Sequence, residues 1–378
     1  MYLLLDKYAA CGTDLDSFRK EAIFVDENTC IAEVDPLETR ILDYYKISPT
    51  RAVFHVINDG DIRYTEDGRY VVTNMEALRI DTLNSDQLSL IQEMRAKSKT
   101  LIEFLTASTK RFFIGETLYK TLSARLNGIG GRFLKQAGSI RNYALVGALQ
   151  DSDSAMHILY RTDGRLNKAV AVFSKKVRFC KRTAIADVIE KLFPKGEIRW
   201  SITQECTEVY VEMPELVCGE FYKGYLFKIS DTGYYADTLY TTLRKYDCQP
   251  DDYYTLGEIP LAYGEDGVIG ADGVIDENAL KKHILVSEAH NQDLVAGQRR
   301  YFEECRLSPM ELSLKLGLSS IIGIKNRKVI LEDISNKGIS EPTDFYDYLV
   351  SLPRMIVLSD YQKEAYRNFL NSLSKMAG

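Results

Sequence analysis

The hydrophobic pattern of this chain changes its period along the sequence, and that change limits the fold more than any single motif does. Before Tyr246 the apolar residues come largely in short β-rich runs, such as Ala52 to Ile57 (AVFHVI), Met156 to Arg161 (MHILYR) and Lys168 to Phe173 (KAVAVF). Asp-Gly turns separate several of these runs, as hairpins require. From Glu277 onward the apolar residues recur at helical spacing instead, over Glu277 to Glu304, Pro309 to Leu316, Thr343 to Val350 and Asp360 to Met376. A β-rich start followed by a helical end predicts an α+β fold: a small, mainly antiparallel sheet with flanking helices, a β-rich N-terminal part and a helical C-terminal part.

Four regions are expected on this reading. Residues 1–106 form an N-terminal α+β region, with strands at Ala52 to Ile57, Ile62 to Tyr64 and Arg69 to Thr73 and a linking helix over Ser85 to Thr106. Residues 107–245 form a central α+β domain. It holds helices at Glu116 to Leu126 and Ser139 to Leu149, the hairpin around Thr162-Asp163-Gly164-Arg165, a helix from Thr183 (the expected N-cap) to Phe193, and further strands up to Leu243. Residues 246–276, rich in Asp, Gly and Tyr, read as a long acidic loop, and residues 277–378 as the helical region.

The 378 residues are 45% hydrophobic, enough for a well-buried core without staples. No apolar run approaches the roughly 20 residues that span a bilayer, so no membrane is expected as a partner. The N-terminus lacks the pattern of a secretory signal, which predicts a cytoplasmic protein. The 7 cysteines are scattered without a CxxC pair and the 4 histidines are dispersed, so reduced thiols are expected, with neither metal site nor cofactor. The net charge of -6 hides an asymmetry: Ala107 to Trp200 holds 18 Lys plus Arg against 7 Asp plus Glu. Such a basic middle attracts a polyanion, unless the acidic flanks pack against it.

Each candidate motif has a plain structural counterpart. Asn127-Gly128-Ile129-Gly130-Gly131-Arg132 offers backbone N–H groups to a phosphate, but it lacks P-loop order and reads equally as a glycine turn ending a helix. Lys168, Lys175, Lys176, Arg178, Lys181 and Arg182 are interleaved with Phe173 and Phe179, which suits a groove for a single strand; the counterpart is a sheet edge guarded by lysines. The chain has 24 tyrosines, several of them between Tyr222 and Tyr254, where they line a half-buried sheet face or stack on bases. Asp59-Gly60-Asp61, Asp251-Asp252 and the pair His283 and His290 are the only leads to metal-dependent catalysis, and the Asp pairs sit where Asp serves turns. Ser308 to Ile322 has the spacing of a helix-turn-helix without its basic recognition helix, and core helices are the alternative.

Arg161-Thr162-Asp163-Gly164-Arg165 followed by Ala169-Val170-Ala171-Val172-Phe173-Ser174, the segment Phe227 to Tyr234, and the closing stretch Thr343 to Gly378 resemble the phage/plasmid-like family of uncharacterised mobile-element proteins. Two departures accompany the resemblance: Lys168 stands where arginine is usual in that family, and Cys248 is followed by Gln249-Pro250 where the family commonly has a Cys-x-Asn-Gly segment. The resemblance implies a mobile-element setting and no particular mechanism.

The expected function is therefore a non-enzymatic accessory protein that binds single-stranded DNA through its basic central sheet. Arg132, Lys135, Arg161, Lys168, Lys175, Lys176, Arg178, Lys181 and Arg182 are the expected nucleic-acid contacts. The competing expectation is a protein-interaction or self-assembly role, with a host or phage protein as partner, through the tyrosine-rich sheet and acidic loops. A metal-dependent enzyme is a third.

Overall fold

The computed structural model describes residues 3–4, 8–34, 39–46, 51–57, 62–64, 70–72, 74–79, 100–104, 110–114, 117–118, 121, 156–164, 167–173, 180–217, 221–230, 236–246, 249–251, 253–262, 267–270, 273–350, 362, 365–366 and 368–369. The protein is α+β, with strands dominating the first part and helices the last. It divides into two compact units that are not consecutive blocks of sequence. Unit 1 comprises Met1–Ala186, Trp200–Thr207 and Ile229–Ala236, and unit 2 comprises Asp187–Arg199, Glu208–Lys228 and Asp237–Gly378.

Among the described residues the strands form three sheets. The largest has eight strands: β2 (Thr29–Val34), β10 (Met156–Thr162), β11 (Asn167–Phe173), β9 (Lys110–Ile114), β8 (Thr100–Phe104), β3 (Thr39–Lys46), β4 (Arg51–Ile57) and β7 (Asn74–Arg79), in that spatial order. β11 runs parallel to β9 and antiparallel to β10. β5 (Ile62–Tyr64) and β6 (Tyr70–Val72) form the expected hairpin pair. The six-stranded sheet has the order β1 (Ala9–Gly12), β12 (Glu197–Thr203), β13 (Cys206–Val217), β14 (Phe221–Ser230), β15 (Thr238–Lys245) and β16 (Tyr254–Pro260).

In unit 1, β11 is buried from Lys168 to Phe173 without alternation, as befits an interior strand covered on both faces. Leu159 pairs with Ala171 but Tyr160 pairs with Ala169, so Val170 is the extra residue of a β-bulge. Helix α1 (Leu15–Glu27) is capped by Asp14, whose carboxylate accepts from Ser17 N–H at 2.7 Å. Its buried Phe18 meets Trp200 at 5.7 Å between ring centroids. Helix α2 (Arg182–Leu192) starts one residue before the expected cap. Asp26 at the end of α1 supplies the cap instead, accepting from Thr183 N–H at 3.0 Å and Thr183 Oγ1 at 3.1 Å.

Unit 2 carries the C-terminal helices: α3 (Glu277–Glu304), α4 (Pro309–Lys315), α5 (Leu318–Ile322), α6 (Ile324–Asn336) and α7 (Pro342–Val350). Asp276 caps α3 through Asn278 N–H and Ala279 N–H, while Ser308 and Glu311 form a full capping box on α4. Gly317, at φ 62°, makes the left-handed turn between α4 and α5. Leu312, Leu316, Leu318 and Ile322 are buried in one cluster with Phe302, Ile330, Phe345 and Leu349, so Ser308 to Ile322 serves the core.

Two sequence expectations are corrected. Thr100–Phe104, expected at the end of a helix, is strand β8, paired to β3 and β9. The stretch 246–276 is not one loop: it contains β16, and its repeated Asp-Gly-Val-Ile brings Ile269 and Ile275 together in a buried antiparallel bridge. The helices expected at Glu116 to Leu126, Ser139 to Leu149 and Asp360 to Met376 lie largely outside the described residues, and the glycine segment Asn127 to Arg132 lies wholly outside them.

Candidate ligand-binding face

The six-stranded sheet presents two unlike faces within unit 2. One packs on helices. Phe193 meets Tyr225 at 4.3 Å between ring centroids, the Tyr225 hydroxyl donates to Glu288 of α3, and Lys223 Nζ pairs with the same carboxylate at 2.8 Å. Asn291 Nδ2 donates to Thr241 Oγ1 at 2.6 Å, and Ser287 Oγ lies 3.1 Å from that same oxygen. A Cβ on Gly257 would stand 2.5 Å from Ser287 Oγ, so the absence of a side chain there lets α3 close on the sheet.

The other face is built from tyrosine and arginine. Tyr222 lies opposite Arg244, and Gly224 opposite Thr242, across β14 and β15. Arg244 Cζ sits over the Tyr222 ring, 4.7 Å from its centroid. Its Nε and Nη2 donate to the two oxygens of Glu212 at 2.7 and 2.6 Å, a bidentate pair. Tyr210, two residues before Glu212 on β13, donates its hydroxyl to that carboxylate at 3.1 Å. The Tyr210 ring occupies the space above Gly224, where a Cβ would come within 2.5 Å of its hydroxyl. Tyr253 stacks on Tyr210 at 4.4 Å and 15°, and Arg199 Cζ sits 4.6 Å from the same centroid.

Burial, followed by the nearby charge of Glu212, pushes the Tyr210 phenol well above its ordinary range, so it stays a donor at neutral pH. The hydrogen bonds that Arg244 donates to Glu212 hold its guanidinium above the ordinary arginine range. Each cation named on this face has its own anion: Arg244 with Glu212, Arg199 with Asp251 at 2.9 Å, and Lys228 with Glu208 at 3.2 Å. What the face offers is rings and pre-positioned guanidinium groups. Tyr222, Tyr240 and Tyr253 are half-buried and Tyr246 is exposed.

The nine cations expected to contact nucleic acid do not gather in one exposed patch. Arg132, Lys135, Lys175, Lys176 and Arg178 lie outside the described residues. Of the other four, Lys181 is exposed, whereas Arg161, Lys168 and Arg182 are at most 3% exposed. This corrects the expectation that these three face a polyanion. Arg161 and Lys168 are cross-strand partners inside the eight-stranded sheet, with Arg161 donating to Thr203 C=O at 3.4 Å and lying over the Tyr8 ring. Arg182 pairs with Asp26 at 3.0 Å and donates to Thr207 Oγ1 at 2.9 Å. Among the described residues, no group of three or more His, Cys, Asp and Glu could hold a metal ion, and no helix is long and apolar enough to cross a membrane.

Arg199, Tyr210, Glu212 and Arg244 were not singled out from the sequence. The available signal was the alternation Glu208, Tyr210, Glu212 in β13, which sets three polar or aromatic residues on one face. No protein-family model, curated protein or solved structure matches the chain.

Proposed function

We propose that the protein is a nucleic-acid-associated accessory protein that holds a single strand on the tyrosine face of its six-stranded sheet. The observation that carries this reading is the grouping of Tyr210, Tyr222 and Tyr253 with Arg199 and Arg244 on one side of an antiparallel sheet whose other side is packed on helices. Sheets of this kind read unpaired bases by stacking them on aromatic rings, with arginine adding cation–π attraction. The resemblance to phage/plasmid-like proteins supports a mobile-element setting.

Because the guanidinium groups of this face already have carboxylate partners, binding here is carried by stacking and depends weakly on salt. Titration of labelled single-stranded and double-stranded oligonucleotides at two salt concentrations tests this. Preference for the single strand, a shallow salt slope, and a loss of about tenfold in Tyr222→Ala are the expected results, since one base stack contributes about 1–3 kcal/mol. No preference and no effect of Tyr222→Ala would refute the reading.

Lys181 is exposed and follows Lys175, Lys176 and Arg178 closely in the sequence, and this favours a second reading in which the basic segment tracks phosphates. A steep salt slope, lost when Lys175, Lys176, Arg178 and Lys181 are replaced by glutamine, would select it. A tyrosine face that captures a protein partner after nuclease treatment, with no oligonucleotide bound, would select the interaction role.

A further inference from the structure

The segment with helix-turn-helix spacing continues past the residue where its sequence pattern stops. In α4 and α5, Leu312, Leu316, Leu318 and Ile322 are buried, and Gly317 makes the turn between the two helices in the left-handed conformation. One residue beyond Ile322, α6 begins. Gly323, at φ 87°, separates it from α5. Hydrogen bonds fix this break: Gly323 N–H donates to Ser319 C=O at 3.0 Å, and Ile322 C=O accepts from Asn326 Nδ2 at 3.0 Å and from Gln362 Nε2 at 3.1 Å. Arg327 of α6 reaches back to α4, its Nε and Nη2 each 3.4 Å from the hydroxyl of buried Ser313. The three helices are thus tied together, and the third carries the cations that a motif ending at Ile322 lacks.

Residues 324–329 read Ile-Lys-Asn-Arg-Lys-Val, with three cations and no acid. α6 buries Ile330 and Ile334 but leaves Lys325 and Lys328 exposed, with Ile324 and Val329 exposed by 69% and 54%. Ile324 lies four residues before Lys328, and Lys325 three before Lys328 and four before Val329, so these four share one side of the helix. Among the described residues neither lysine has an ion-pair partner, whereas Lys337 at the far end of α6 pairs with Asp333 at 2.7 Å. Cations in the opening turns of a helix act against its macrodipole, so their placement is not explained by the stability of α6.

We propose that this side of α6 is a second nucleic-acid surface, one for double-stranded DNA. In this arrangement α6 lies in the major groove, Lys325 and Lys328 meet phosphates, and Ile324 and Val329 face thymine methyl groups. The major groove of B-DNA admits an α-helix, and helix-turn-helix units present their recognition helix to it. The major groove of an RNA duplex is too narrow for side chains to read, so the occupant is DNA. The tyrosine face stacks on unpaired bases; this surface uses phosphate charge and groove shape. Two phosphate contacts make the binding weak and salt-sensitive, so it is seen at low salt and leaves the single strand preferred at moderate salt.

The test titrates the full-length chain with a labelled DNA duplex from low to moderate salt. Lys325→Glu/Lys328→Glu is expected to lower duplex affinity about tenfold at low salt and to reduce the log–log salt slope by about 2, one for each phosphate contact. Lys325→Arg/Lys328→Arg should retain both. Carboxylates suit the first turns of a helix, so the glutamate variant should unfold no earlier than the unaltered chain, which separates lost binding from lost fold. Lys281→Glu/Lys282→Glu makes the same charge change at exposed positions of α3 and should leave duplex affinity within about twofold. An equal loss in that α3 variant would overturn the proposal, as would equal binding of an RNA duplex of the same sequence, or no duplex binding by the unaltered chain at low salt. Tyr222→Ala separates this surface from the stacking reading: duplex binding kept in that variant supports a distinct site, and duplex binding lost with it overturns one. If no single strand binds, the stacking reading fails, and the duplex titration still decides for or against α6.

Discussion

Two ion pairs on the same sheet face should differ in what breaking them costs. Glu212 and Arg244 are both largely buried, and each is the other's bidentate partner. Glu212→Ala leaves a buried guanidinium without its anion, so a loss of about 3 kcal/mol is expected in urea unfolding. Asp251→Asn removes an exposed partner from Arg199 and should cost less than about 1 kcal/mol in the same measurement. The sequence shows that these charges exist, and it shows the excess of cations between Ala107 and Trp200. It does not show which are buried, because a lysine at the start of Lys-Ala-Val-Ala-Val-Phe reads the same on an edge strand and on an interior one. Lys168 is interior because β10 and β9 flank β11 on both sides, a fact of topology. The cap of α2 was hidden for a related reason: Asp26 lies far from Thr183 along the chain, and local spacing cannot reveal it.

Elements were legible where local signals agreed. α3 begins at Glu277 because Asp276 caps it and the apolar spacing continues to Phe302. β8 was misread because Leu101, Ile102 and Leu105 fit a helix face as well as a strand, and its pairing with β3 and β9 decided the matter. β16 was hidden by Gly257 and Pro260, residues that ordinarily argue against strands. Gly257 proves to be the residue that seats α3 on the sheet. Gly257→Val would drive a side chain into Ser287 Oγ and Thr241 Oγ1. A loss of about 1–3 kcal/mol is expected, with faster hydrogen exchange along the middle of α3.

For the whole molecule, the shifted titrations predict a stability plateau bounded at both ends. Asp14 is held below the usual carboxylate range by hydrogen bonds from Ser17, Glu311 by those from Ser308, and Asp333 by Lys337 and then Tyr348. A depressed carboxyl stabilises the fold fully above its unfolded pKa, about 4, and that contribution is lost as pH falls through the folded value. Burial raises Tyr8, Tyr210 and Tyr348, so their contribution is complete below the unfolded phenol pKa and fades as pH rises beyond about 10. Thermal midpoints measured across pH should stay level between about 5 and 9 and fall on either side. The α+β class was legible at this scale from the change of hydrophobic period alone. The interleaving of the two units was not, since it depends on which distant strands pair.

That interleaving bears on synthesis. Among the described residues β1 pairs with residues 200–203 of β12, and unit 1 takes in a further segment at Ile229–Ala236. A chain emerging from the ribosome from its N-terminus therefore holds Ala9–Gly12 without this partner until synthesis has passed residues 200–203, and it is during that interval that the nascent chain most needs protection from other chains.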